Sequence, residues 1–191
     1  MTLRRAVLIV AFANITYFLV EFVVALHIGS VSLFADSADF LEDAAINLLI
    51  FIALAWSPKN RARTGMAMAL ILLAPATAFV WSAWQQLLHM IPPAPLSLSL
   101  TGAGALAVNL SCALLLSKFR SHSGSLTKAA FLSARNDALA NIAIIIAGLV
   151  TGYLWHSIWP DLLVGAAIGI MNLDAAREVW EAARSEHPTV R

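Results

Sequence analysis

Asp36, Asp39 and Asp43 recur at helical spacing inside an apolar stretch, with Glu42 beside them. A second apolar stretch carries Ser133-Ala134-Arg135-Asn136-Asp137. A carboxylate at bilayer depth is costly and rare, and it marks ion and proton pathways. At about 100° per residue, the three aspartates of the first stretch share one helix face, with Asp39 and Asp43 about 40° apart. Oxygen ligands of this kind suit hard and borderline divalent cations, and tetrahedral sets suit zinc. The alternative is a set of hydrogen-bonded carboxyls that merely hold helices together, which is a costly way to pack them.

The elements that must position these groups are membrane helices. The chain has 191 residues, of which 60% are hydrophobic and 12% charged, with a mean hydropathy of +0.80. A soluble domain carries roughly twice that charged fraction. The composition predicts an all-α polytopic membrane protein of six spans, at about 5–27, 31–56, 65–90, 96–117, 126–153 and 158–180. Gly29-Ser30, Ser57-Pro58-Lys59-Asn60, Pro92-Pro93-Ala94-Pro95, residues 118–125 and His156 to Asp161 supply the connections. Arg4-Arg5 and the apolar run behind them read as a retained first helix rather than a signal peptide, because the run is long and contains Asn14 and Glu21. Residues 1–184 form the membrane domain in this reading, and 185–191 a short tail.

Of the 12 Lys and Arg residues, all but Arg135 fall at the start of span one, between spans two and three, between four and the start of five, or from the end of six onward. The positive-inside rule makes that side cytoplasmic and places both termini there. Span two then enters from the outside near Val31. Asp43 comes close to mid-membrane, with Asp39 about 6 Å and Asp36 about 10 Å nearer the outside. Span five runs the opposite way and brings Asp137 to a similar depth. Cys112, the single cysteine, excludes an internal disulfide and reads as a small apolar filler. No nucleotide-binding fingerprint is present, so ATP drive is not expected.

The run from Asn14 through Glu21-Phe22 to Gly29-Ser30-Val31-Ser32-Leu33-Phe34-Ala35-Asp36-Ser37-Ala38-Asp39 and Asp43 resembles the first two helices of the cation diffusion facilitator family. Ser133-x-x-x-Asp137 with Ala138-Leu139-Ala140-Asn141, and Pro160-Asp161, resemble its fifth and sixth. The resemblance implies efflux of divalent transition metals, commonly zinc, in exchange for protons, with no resident cofactor and no enzymatic activity. It also implies four ligands, here Asp39, Asp43, Ser133 and Asp137. Ser133 departs from the family pattern, which has His or Asp there. A hydroxyl in place of imidazole favours harder ions such as manganese, or three carboxylates completed by water, Asn136, Asn14 or Glu42. The soluble C-terminal domain typical of the family has no counterpart after about Trp180.

Around the ligands, Asp36, Glu42 and Glu21 are candidates for a second shell or proton path, together with Asn14 and Asn136. Asn47, Asn109 and Asn141 can bond across helices. Arg135 lies about 200° from Asp137 and should face away from the site. His122 falls in an inner loop, and His27, His89 and His156 near outer ends. The expected partners are a divalent cation, protons, the lipid bilayer of a bacterial inner membrane and a second copy of the chain; nucleic acid is not among them. Two further readings remain open at this point: a non-transporting metal-binding or regulatory homologue, and an intramembrane aspartyl hydrolase using Asp43 and Asp137 as a dyad.

Overall fold

The computed structural model describes residues 2–53, 77–119 and 124–171. Among them are six helices and no strand: α1 (Leu3–Ile28), α2 (Val31–Ala53), α3 (77–89), α4 (Pro95–Ser117), α5 (Gly124–Tyr153) and α6 (Trp159–Met171). The all-helical reading holds, with six helices among the described residues. Residues 54–76, 120–123 and 172–191 lie outside the described residues, and with them the end of the second expected span, the start of the third, the end of the sixth, and His122.

The turns follow from local chemistry. Gly29 ends α1 in the left-handed region (φ 67°, ψ 30°), and its N–H donates to the Ala25 carbonyl. Glycine takes that conformation without the Cβ cost other residues meet. Pro92 and Pro93 cannot continue α3, while Pro95 opens α4, where its missing N–H is not needed.

Leu3–Ile28, Pro95–Ser117 and Asn136–Tyr153 are each long and apolar enough to cross a membrane. With 23 residues, α2 is equally long, but Asp36, Asp39, Glu42 and Asp43 interrupt its apolar run. The protein is an integral membrane protein. Its outer surface is greasy: Leu8, Phe12, Leu19 and Val23 on α1, Leu100 and Leu114 on α4, and Leu139 and Ile146 on α5 are all exposed.

Four helices close into a ring, with α1 against α2 and α4, and α5 against α4 and α2. The middle of the ring is polar. Asn14, Glu21, Asp36, Asn47, Asn109 and Asn141 are all buried there. Lipid tails give apolar helices no reason to prefer each other, so polar groups and close small-residue packing supply the specificity. At one end of the ring the Arg4 guanidinium stacks over the Phe51 ring at 4.6 Å and ties α1 to α2. The opposite end carries the α1–α2 turn, where α6 and α3 close in through Val164, Ile168, Ala78 and Phe79.

Candidate cation site

One hydrogen bond sets the register of the two acidic helices. Asn141 Nδ2 on α5 donates to Asp36 Oδ2 on α2 at 2.5 Å, and Asn109 Nδ2 on α4 donates to Asn141 Oδ1 at 2.9 Å. Because α2 and α5 run antiparallel, moving toward the Arg4 end takes three residues (about 4.5 Å) from Asp36 to Asp39 and four (about 6 Å) from Asn141 to Asp137, then four more on each helix. Asp39 therefore comes level with Asp137, and Asp43 with backbone position 133. The electrostatics agree: the strongest charge–charge interaction on the Asp39 carboxyl comes from Asp137, ahead of Asp36, Glu42 and Asp43.

Burial separates the candidates. Asp36 and Glu21 are fully buried and Asp43 nearly so, whereas Asp39, Glu42 and Asp137 are half-buried. Asn136 sits on the exposed side of α5, apart from the polar interior. The side chains of Ser133 and Arg135 lie outside those described. Among the described residues, no three His, Cys, Asp or Glu side chains are drawn around one point as a bound metal requires. The carboxylates form a ladder between two helices rather than a closed cage.

The layer at Asp43 includes two residues from other helices. Asn14 on α1 is buried, and its Oδ1 lies 3.8 Å from Cys112 Sγ on α4. Cys112 is within electrostatic reach of Asp43. The cysteine thus fills its helix interface, as expected, but does so against the acidic layer; only the depth of residue 112 in its span hinted at that. Asn47 is committed locally, donating to the Asp43 carbonyl at 2.7 Å.

Asp161 is the residue whose role the sequence concealed. It stands in the first turn of α6, fully buried, and accepts five hydrogen bonds. The Val31 N–H (2.8 Å) and the Gln86 amide (2.9 Å) donate to Oδ2; the Ser30 hydroxyl (2.7 Å), the Ser32 hydroxyl (2.5 Å) and the Ser32 N–H (3.2 Å) donate to Oδ1. The first backbone N–H groups of α2, which no residue within that helix can satisfy, are capped by a carboxylate from another helix. Gly165, one turn further along α6, permits the approach: a Cβ there would stand 2.8 Å from the Ser32 nitrogen. Pro160-Asp161 and Gly29-Ser30-Val31-Ser32 are visible in the sequence, but their pairing across about 130 residues is not.

Residues 7–185 match the cation efflux transmembrane domain. The chain belongs to the cation efflux family. Cation efflux proteins are transporters rather than enzymes, which removes the intramembrane hydrolase reading. The chain is also similar to proteins named cation-efflux pump FieF. It is 30% identical over 172 residues to the one from Salmonella typhi, covering 83% of this chain and 57% of that protein. To the one from Salmonella paratyphi A (strain ATCC 9150 / SARB42) it is 29% identical over 197 residues, covering 95% and 65%. The chain spans less than two thirds of the length of these curated relatives.

Proposed function

We propose that this cation efflux chain exports a divalent metal ion from the cytoplasm in exchange for protons, with Asp39, Asp43 and Asp137 as its carboxylate ligands and Ser133 at the fourth position. The observation that carries the reading is the Asn141–Asp36 hydrogen bond, whose register levels Asp39 with Asp137. Half-burial of these two side chains suits groups that a hydrated ion must reach, while the ladder's openness suits a site completed by the ion itself. Both termini lie in the cytoplasm in this reading, so the Asp161 end faces outward, in a bacterial inner membrane. Residues 1–184 make up the transport domain, residues 185–191 a tail, and two copies form the working unit.

The exchange follows from the chemistry of the ligands. Crowded carboxylates compete for protons and cations alike, so loading the metal releases protons and protonation expels it. Three carboxylates and a hydroxyl discriminate less sharply for zinc than a site with imidazole, and admit manganese, cobalt, iron and cadmium. Zinc remains the first ion to test because of the family resemblance.

The deciding experiment is flux of a metal panel into proteoliposomes, with and without a pH gradient at matched membrane potential, since potential alone also acts on a moving charge. Acid on the side that receives the metal should accelerate its movement. Flux indifferent to the gradient makes the chain a uniporter, and no flux of any metal makes it a binding homologue.

A further inference from the structure

Glu21 on α1 is fully buried, and among the described residues neither of its carboxyl oxygens has a donor; Asp36 Oδ1 on α2 is in the same position. Yet the two carboxyls lie within hydrogen-bonding reach of each other. Both observations have one cause. An ionised carboxylate only accepts, so two of them can face one another without forming any bond. Among the described residues, neither carboxyl is paired with Lys, Arg or His. Two adjacent, unpaired negative charges in the middle of a membrane bundle are far more costly than one charge and one neutral acid.

We infer that Glu21 and Asp36 bind a single proton between them, forming a proton site separate from the ligands of the transported ion. The donors decide where the proton sits. Asp36 Oδ2 accepts from Asn141, which suits the charged form, whereas Glu21 has no donor among the described residues. Glu21 therefore carries the proton and donates it in a hydrogen bond to Asp36 Oδ1. The surroundings leave this role to Glu21. On α1, Tyr17 is near, but its hydroxyl is committed to the Thr101 carbonyl at 2.6 Å. On α2 the further titratable neighbour is Asp39, and on α5 it is Asp137, beyond the neutral Asn141. α4 brings the neutral Asn109, with Cys112 nearer Asp43.

The pair sits one helical turn from Asp39, toward the Asp161 end. One of the protons exchanged for the cation is thus carried beside its path, and a divalent charge arriving at Asp39 and Asp137 favours release of that proton to water. This last step rests on the proposed transport function, but occupancy of the pair does not, so it can be measured without metal or flux.

The test is infrared difference spectroscopy on the full chain in lipid nanodiscs, free of metal and at neutral pH. Wild type should show the stretch of a protonated carboxyl that shifts in heavy water. Glu21→Gln, which keeps the shape and supplies a donor to Asp36, should lose the Glu21 share of that band, and Asp39→Asn should keep that share. Proton release on zinc binding, read with a pH indicator, should fall by about one per ion in Glu21→Gln. The proposal is overturned if wild type lacks the band, a result that needs no variant to fold, or if Glu21→Gln retains it at full strength. It is equally overturned if zinc converts the Glu21 carboxyl bands to those of a coordinated carboxylate, because the pair is then a metal site.

Discussion

Asp161 and Asp36 are both aspartates with no exposed surface, less than half a helix apart along the bundle, and they have opposite surroundings. Asp161 accepts five hydrogen bonds from two segments of the chain, Ser30-Val31-Ser32 and Gln86. Asp36 accepts one from Asn141 and faces another acid. The first carboxylate is saturated with donors, and its work is to hold α2, α3 and α6 together. The second is short of donors among the described residues, as is Glu21, and such groups take up a proton or a cation readily. Counting donors around a buried carboxylate thus separates architecture from chemistry where residue type and burial cannot.

The largest expected effect lies in the ladder. Asp43→Asn and Asp137→Asn should each reduce metal flux to the level of empty liposomes while leaving membrane insertion and thermal stability close to wild type. Flux at the wild-type rate from either variant would sink the ligand assignment. The contrasting change is Asp161→Ala, which strands the Ser30, Ser32 and Gln86 donors and the start of α2. It should lower stability by about 2–3 kcal/mol, read as a fall in the melting temperature in detergent, and reduce flux only in proportion to the folded protein remaining. If Asp161→Ala melts like wild type but fails to transport, the clasp is part of the transport chemistry and the contrast drawn above is wrong.

Gly165→Ala tests the same joint more gently. The added methyl would meet the Ser32 nitrogen and Val31 Cγ1 at 2.8 Å, backbone among them, so α6 must back away from α2. The expected cost is about 1–3 kcal/mol, below that of losing the carboxylate. Chemical denaturation of the two variants side by side gives the ranking, and a Gly165→Ala protein as stable as wild type would mean that Asp161 reaches α2 without close helix contact.

Much of this division was legible in the sequence. Asp36, Asp39, Asp43 and Asp137 stand out because charge is scarce in an apolar chain, and the six spans follow from hydropathy with Gly29 and the prolines as punctuation. Partnership was not legible. Glu21 and Asp36 were both candidates for a proton path, but that they face each other directly shows only once the α1–α2 turn is in place, and Asp161 looked like a loop residue before α6. Asn136 and Asn141 look alike in a sequence, yet one is exposed and the other bridges Asn109 and Asp36. Helical periodicity fixes angles within one helix. It does not say how two helices are rotated or slid against each other, and that is what decides which acid finds a donor.

The smallest effect, and the sharpest test of the ladder's register, is expected at Ser133. Four residues before Asp137, it lies on the same face of α5 and level with Asp43, so a longer side chain there can reach an ion held between α2 and α5. Ser133→His adds a neutral imidazole, a ligand that suits zinc better than it suits manganese. Zinc affinity should rise about tenfold relative to manganese, equivalent to ~1.4 kcal/mol, read as competition between the two ions for binding to the purified protein. Binding is the appropriate readout, because tighter binding also slows release and can leave the flux unchanged. The gain should disappear in Ser133→His combined with Asp43→Asn, since both side chains would hold the same ion. A zinc preference that survives loss of Asp43 would mean that position 133 does not share the ion with Asp43, and that α5 is rotated away from the ladder at that depth.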